Sequence, residues 1–244
     1  NGATGRGGPA PHPDRSARKP RAPRSEPGEN EPVRYRLLGV TQAQDEQGGD
    51  IPVGGPRVRA LLAALCLRPG QVATPQTLID EVWPDDPPLD APAALHALVG
   101  RLRRAVGRAA VASDAGGYRL AAGRDDVDLF VFERLVRDAT TALHQGDPAA
   151  AARTLAEALA LWRGPALADL PDRSPAARWD ALRLDALRAR AEAVLRLGRA
   201  QDVVPELTEL TGVHPYDERL HALLIRALRD TGRPADALAA YERA

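Results

Sequence analysis

The stretch APAALHALVGRLRRAVGRAAVASDAGGYRL, residues 91–120, decides how the chain is read. Wound at about 100° per residue, it places Leu95, Leu98, Val99, Leu102 and Val106 on one stripe, the spacing of a core-facing helix. The opposite face carries Ala93, Ala97 and Gly100, then Arg101, Arg104 and Arg108. Small residues followed by guanidinium groups let this face approach a surface closely and favour an anionic one. Two short β-type runs, Val111–Ser113 and Tyr118–Ala121, follow across Asp114-Ala-Gly-Gly117, where the glycines supply the positive φ of a tight turn. A basic helix followed directly by a hairpin is how a winged helix-turn-helix ends, with the helix in the major groove and the wing on neighbouring backbone. Taken alone, the pattern also fits an amphipathic helix with a solvated charged face. The flanking sequence favours the first reading.

A chain of 244 residues suits one large or two ordinary domains. Its formal net charge is zero, yet the charges are unevenly placed. Six Arg stand against one Asp from His96 to Arg124, whereas 16 Arg stand against 20 acidic residues from Asp125 onward. This asymmetry favours an anionic partner for the middle of the chain and a different role for the C-terminal half. Of 33 basic residues only Lys19 is lysine, a bias expected of GC-rich coding that discounts the arginine count. Cys66 is the only cysteine, so no intrachain disulfide or Cys-based zinc cluster forms. It shares the apolar side of a helix with Leu61, Leu62 and Leu65, the place of a small buried residue. With no apolar run near the about 18 residues of a membrane span and no signal-peptide pattern, a cytoplasmic protein without a membrane partner is expected. A chain that lacks Met, starts at Asn1 and stops inside a helical pattern at Ala244 is expected to be an excerpt of a longer protein.

Residues 1–32, rich in Gly, Pro, Ser and Arg, read as a disordered tail. Val33–Thr41 and Ile51–Val53 read as strands. Pro56 opens a helix over Arg57–Leu67 with Val58, Leu61, Leu62 and Leu65 as its core stripe. Thr74 is a good N-cap, with Pro75 in first position, for a helix over Gln76–Val82. Trp83-Pro-Asp-Asp-Pro-Pro88 breaks that helix, and Trp83 is expected to bury most of its ring near Leu78, Leu95 and Leu102. From Asp126 the chain reads as helix throughout, over 128–145, 147–162, 175–197, 199–213, 217–231 and 233–244. Similar turns stand at Gln145-Gly-Asp-Pro148, Leu197-Gly-Arg199 and Thr231-Gly-Arg-Pro234. Gly198 and Gly232 lie 34 residues apart, the tetratricopeptide period, and Gly146 to Gly198 is that period plus an insertion placed around Arg163–Asp180. Stacked repeats therefore fit better than an aperiodic bundle.

RYRLLG at 34–39, GGPRVRALLAALCL at 54–67, LIDEVWPDDPP at 78–88, LVGRLRRAVG at 98–107, GGYRL at 116–120, DLFVFERLV at 128–136 and ALALWRGPALADL at 158–170 resemble the SARP family. These are actinobacterial transcriptional activators of antibiotic and other specialised-metabolite clusters. The resemblance implies a mainly α fold: an OmpR-type winged helix-turn-helix over 33–123, with three helices and small antiparallel sheets. An all-α, tetratricopeptide-like bacterial transcriptional activation domain over 124–244 completes it. Family members bind direct repeats at promoters and recruit RNA polymerase. The implied partners are thus double-stranded promoter DNA, bound in tandem or as a dimer, and RNA polymerase holoenzyme. Where the family commonly carries Arg, Asn, Gln or Ser near the start of the recognition helix, this chain has Pro92, Ala93, His96 and Gly100, losing side chains that hydrogen-bond bases.

On this reading Arg101, Arg104 and Arg108 pair with phosphates or guanine edges. Arg103 reaches the flanking strand, His96 touches a phosphate from the side of the helix, and Arg119 grips backbone beside the wing. Asp85 and Asp86, held among prolines in a semi-rigid loop, would be repelled by DNA and are assigned to a basic surface on the polymerase, a solvated acidic turn being the alternative. An enzyme is not expected. Gly54-Gly55-Pro56 lacks the Lys and spacing of a phosphate-cradling loop, and the five His, at 12, 96, 144, 214 and 221, show no ligand spacing. No catalytic residue, cofactor or metal is assigned. The second reading is a protein-interaction module in which the winged helix serves as a scaffold.

Overall fold

The computed structural model describes residues 1–2, 34–45 and 47–243. The disordered tail expected over 1–32 lies almost wholly outside the described residues. Three short strands come first, β1 (Tyr35–Arg36), β2 (Gln42–Gln44) and β3 (Asp50–Ile51). They form an antiparallel sheet in that order, with Tyr35 opposite Ala43 and Ala43 opposite Ile51. The strand expected over Val33–Thr41 is therefore cut to two residues, because the helical half of the chain claims the backbone that follows. Leu37 and Leu38 donate their amides to the carboxylate of Asp128, at 2.7 and 3.1 Å, and their carbonyls accept from Leu167 and Arg163.

Helices α1 (Pro56–Cys66), α2 (Pro75–Val82) and α3 (Ala91–Val106) follow, each with proline in its first turn. Thr74 caps α2 by accepting from the Thr77 amide, as expected. Every residue of α1 from Ala60 to Cys66 is buried, so this helix forms the centre of the N-terminal core. Cys66 has no exposed surface and burial pushes its thiol well up, consistent with a packing role. A second sheet, ordered β4-β6-β5, joins β4 (Val72–Ala73), β5 (Val111–Asp114) and β6 (Gly117–Leu120). Strand β4 is invisible to pattern reading, since two residues show no alternation. The two hairpin glycines serve different needs. Gly116 takes φ +98°, whereas a Cβ on Gly117 would stand 1.9 Å from the carbonyl oxygen of Ala73 in β4.

Trp83 is partly buried, with most of its surface covered, and packs against the core. Helix α2 ends at Val82, as expected; Val82 fills the core position with no exposure, and Trp83 lies at the margin, 6.0 Å beneath the Arg57 guanidinium.

A 3-10 turn at Arg124–Asp126 leads into α4 (Asp128–His144), α5 (Pro148–Ala160), α6 (Ala177–Arg196), α7 (Val204–Val213), α8 (Glu218–Asp230) and α9 (Pro234–Glu242). The three similar turns share one geometry. Gly146, Gly198 and Gly232 all have positive φ. The residue after each donates to the carbonyl five positions back: Asp147 to Ala142, Arg199 to Val194 and Arg233 to Leu228. That is the six-to-one bond of a Schellman cap, which needs the left-handed residue. The expected insertion appears as the irregular segment 161–173 and a 3-10 turn at Ser174–Ala176. Among the described residues, no helix is long and apolar enough to cross a membrane.

The insertion does not hang free. Asp169 accepts the Thr41 amide at 2.7 Å and pairs with Arg59 of α1 at 2.8 Å, and Arg163 reaches the carbonyl of Val40 and the side chain of Gln42. One continuous hydrophobic cluster runs from Tyr35 to Ala186, and a second begins at Ala191. The apolar core thus divides inside α6, well beyond the sequence junction near residue 124.

Asp128 is 1% exposed, and burial pushes its carboxyl up to about 6, opposed by the Leu37 and Leu38 amides and by Arg163 at 3.6 Å. A carboxyl raised in the folded state contributes stability that is fully present below its ordinary value of 3.8 and is lost as pH rises through about 6. Asp128→Ala strands two buried amides and should cost about 2–4 kcal/mol. In urea titrations the deficit against the parent should shrink between pH 4 and pH 7; a deficit that grows over that interval would reverse this assignment.

Candidate nucleic-acid interface

The candidate interface starts from how α3 is held. Asp90 caps it by accepting the Ala93 amide at 3.0 Å, and Gly107 ends it at φ +96°. Leu95, Leu98, Val99 and Leu102 are buried against the core. The opposite face presents His96, Ala97, Arg101 and Arg104 to solvent, and Arg108 is exposed just beyond the helix. Among the described residues, Arg101, Arg104 and Arg108 have no hydrogen-bond or ion-pair partner.

Arg103 and Arg119 are placed differently. Arg103 donates from Nε to the carbonyl of Val111 at 2.8 Å and from Nη2 to Ser113 Oγ at 2.7 Å, with its guanidinium 6.0 Å from the Tyr118 ring centroid. It ties the helix to the hairpin. Arg119 pairs through Nε with Asp114 at 2.7 Å across the hairpin while its side chain stays 35% exposed, so it keeps donors turned to solvent. Both residues carry the same sequence signal as Arg104, and only the fold separates their roles.

Arg101 and Arg104 also line a cleft of about 500 Å³ whose far wall is Pro52–Val58, including the start of α1. This brings in Arg57, which sequence reasoning treated only as part of a helix. No spacing rule links positions 57 and 101, so nothing in the sequence signalled the convergence. Its lining holds no carboxylate, His or Cys. Asp85 and Asp86 are exposed in the loop before α3, and so is Leu89, which retains the full surface of a free side chain. That leucine could have been noticed as the large apolar residue standing after the prolines and aspartates of the loop, away from Trp83.

Residues 53–120 match the family model described as transcriptional regulatory protein, C terminal, and residues 127–244 match the bacterial transcriptional activator domain. The regulatory protein DnrI of Streptomyces peucetius is 35% identical over 86% of this chain and 82% of its own length. The chain belongs to the SARP family of transcriptional regulators. The regulatory protein AfsR of Streptomyces griseus is 37% identical over 88% of this SARP chain, which spans 22% of AfsR. Among solved structures, Mycobacterium tuberculosis EmbR in complex with a low-affinity phosphopeptide is 36% identical. It superposes with a TM-score of 0.79 over 86% of this chain and 57% of the EmbR chain. AfsR and DnrI are both named as regulatory proteins.

The two classes of arginine separate by stability. Arg103→Ala removes two hydrogen bonds between helix and hairpin and should destabilise the SARP chain by about 1–2 kcal/mol. Arg104→Ala, at an exposed and unpartnered site, should stay within about 0.5 kcal/mol of the parent. Urea denaturation of the two variants checks the contrast, and equal losses would contradict it.

Proposed function

We propose that this chain is a sequence-specific DNA-binding transcriptional activator, acting in the cytoplasm on promoter repeats. The observation that carries the reading is the exposed face of α3. Its arginines at 101 and 104 stand one turn apart, unpartnered among the described residues, on a helix braced against a wing by Arg103. Helix α3 enters the major groove with Arg101 and Arg104 toward phosphates or guanine edges, His96 lies at the side, and Arg108 follows the backbone. Arg119 meets the backbone at the wing, and Arg103 acts as a positioning residue. The early turns of the exposed face offer Pro92, Ala93 and Ala97, so hydrogen-bonded base readout falls to the second half of the helix. Two copies bind in tandem or as a dimer on repeated sites, and SARP membership supports control of a specialised-metabolite cluster, such as one for an antibiotic.

Activation is assigned to the loop between α2 and α3. Asp85 and Asp86 project from a proline-stiffened segment next to the exposed Leu89, an apolar anchor flanked by carboxylates. A basic surface of RNA polymerase holoenzyme suits that combination, because DNA phosphates repel it. The domain division this function uses is a winged helix over 33–123 and an activation domain over 124–244, fastened through Asp128 and the 161–173 segment.

Replacing Arg104 by Ala should weaken promoter binding across all sequences and reduce the log–log salt slope by about 1, as loss of one phosphate contact does. Fluorescence anisotropy over a salt series reads both quantities, and an unchanged slope and affinity in the folded variant would reject the contact. Asp85→Asn with Asp86→Asn should leave promoter binding intact and lower in vitro transcription from the same promoter. Equal loss of both activities, or of neither, would remove the loop from the polymerase interface.

A further inference from the structure

Helices α4, α6 and α8 are the first members of three successive helix pairs, and together they line one groove of about 720 Å³. Its floor is apolar: Val136 and Leu143 of α4 are buried, and Leu182 and Leu223 are half-buried. Ala189 and Ala222 also line it, so the walls of α6 and α8 carry little side-chain bulk there. A stack of helix pairs generates an extended concave surface of this kind.

Cations dominate the rim. Arg188, Arg196, Arg219 and Arg226 line the groove against two carboxylates, Asp185 and Glu192. Both carboxylates are already engaged. Glu192 is shared by Arg196 at 2.8 Å and Arg226 at 3.2 Å, and Asp185 is held by Arg188 at 2.7 Å. Burial raises the Glu192 carboxyl, but Arg196 and Arg226 outweigh it and hold it below the usual carboxylate range, so Glu192 stays ionised as their anchor. Arg188 is steadied further by Asp217. Arg219 has no ion-pair partner among the described residues and is exposed. Arg226 also reaches Asp230 at 3.8 Å, so the groove combines an apolar floor with a rim of paired guanidinium groups and one, Arg219, left open to an added anion, although the chain from Asp125 onward is net acidic.

We propose that this groove binds an acidic amphipathic helix from a partner protein, its apolar stripe on the floor and its carboxylates toward Arg219, Arg226 and Arg196. A helix laid in a groove is recognised in this way, by apolar anchors one turn apart and flanking charge. Helices pack about 8–10 Å apart, so three in a row offer about 20 Å, the length of about 13 helical residues. The chain's own N-terminal segment is the wrong occupant, since residues 1–31 hold six basic residues against four acidic ones. DNA matches the cations but has no use for the apolar floor. This surface is separate from the α3 face and from the Asp85–Asp86 loop.

The test uses the whole 244-residue chain and a fluorescein-labelled 16-residue helical peptide. The peptide carries Leu at one-turn spacing and Glu on both flanks, beside a counterpart with Lys in place of every Glu. The acidic peptide should bind with an affinity that falls as salt rises, and the Lys counterpart should not. Arg219→Glu, at an exposed unpaired position, should weaken acidic-peptide binding severalfold, and Arg219→Glu with Arg226→Glu at least tenfold. Arg219→Glu should keep the parent's melting curve, and both variants the parent's promoter-DNA affinity. Should the double variant melt early, the single variant decides alone. Absence of binding, equal binding of both peptides, indifference to Arg219→Glu, or displacement of the peptide by promoter DNA would each overturn the proposal.

Discussion

The most deeply buried carboxylate of the junction, that of Asp128, ties the two halves of this protein together. Asp128 opens the first helix of the helical half, and its two oxygens take the amides of Leu37 and Leu38, which the first sheet leaves unpaired. A buried backbone N–H without an acceptor is costly, so these two must be met, and here they are met from ninety positions away. The neighbouring carbonyls are met by Arg163 and Leu167 from the insertion in the helical repeats. Strand, helix and insertion therefore satisfy one another. Removing any one exposes polar groups on the other two. Gly39 belongs to the same junction: a Cβ there would stand 3.2 Å from that of Arg163, so the close approach of the two segments favours glycine.

This fastening bears on what a regulator of this kind can do. With one apolar cluster running from Tyr35 to Ala186, the winged helix and the first helical repeats share a core rather than swing on a linker. Helix α4 packs against β1, and α1 packs against α3. The break between cores inside α6 leaves the later repeats with an apolar cluster of their own.

Arginine dominates the cationic chemistry of the chain, and its members differ by what surrounds them. Arg103 is consumed by a carbonyl and a hydroxyl of the hairpin, Arg59 by the buried Asp169, and Arg188 by two carboxylates. Arg101, Arg104 and Arg219 are left facing water. The guanidinium group suits both uses because its donors lie in a fixed plane, able to lock a loop when acceptors are present and to meet an anion when they are not. A charge count cannot distinguish these uses, as a map of acceptors can.

The sequence by itself determined the helices, the turns between them and the family. These signals are local: a 3.6-residue apolar period, prolines in first turns, Thr74 as a cap, and three glycines whose positive φ ends a helix. The exposed face of α3, with Arg101 and Arg104, was equally legible, since residues one turn apart share a face whatever the rest of the chain does. Long-range pairing was not legible. Strand β4, the shortening of β1, the anchoring role of Arg103 and the placing of Arg57 and Arg101 on one cleft each depend on a partner distant in sequence. A hydrogen-bond donor carries no mark of which acceptor will reach it, and a two-residue strand has no pattern until its neighbour is in place. Asp128 reads in sequence as an ordinary helix-opening acid, and only the folded chain makes it the carboxylate that joins the two halves.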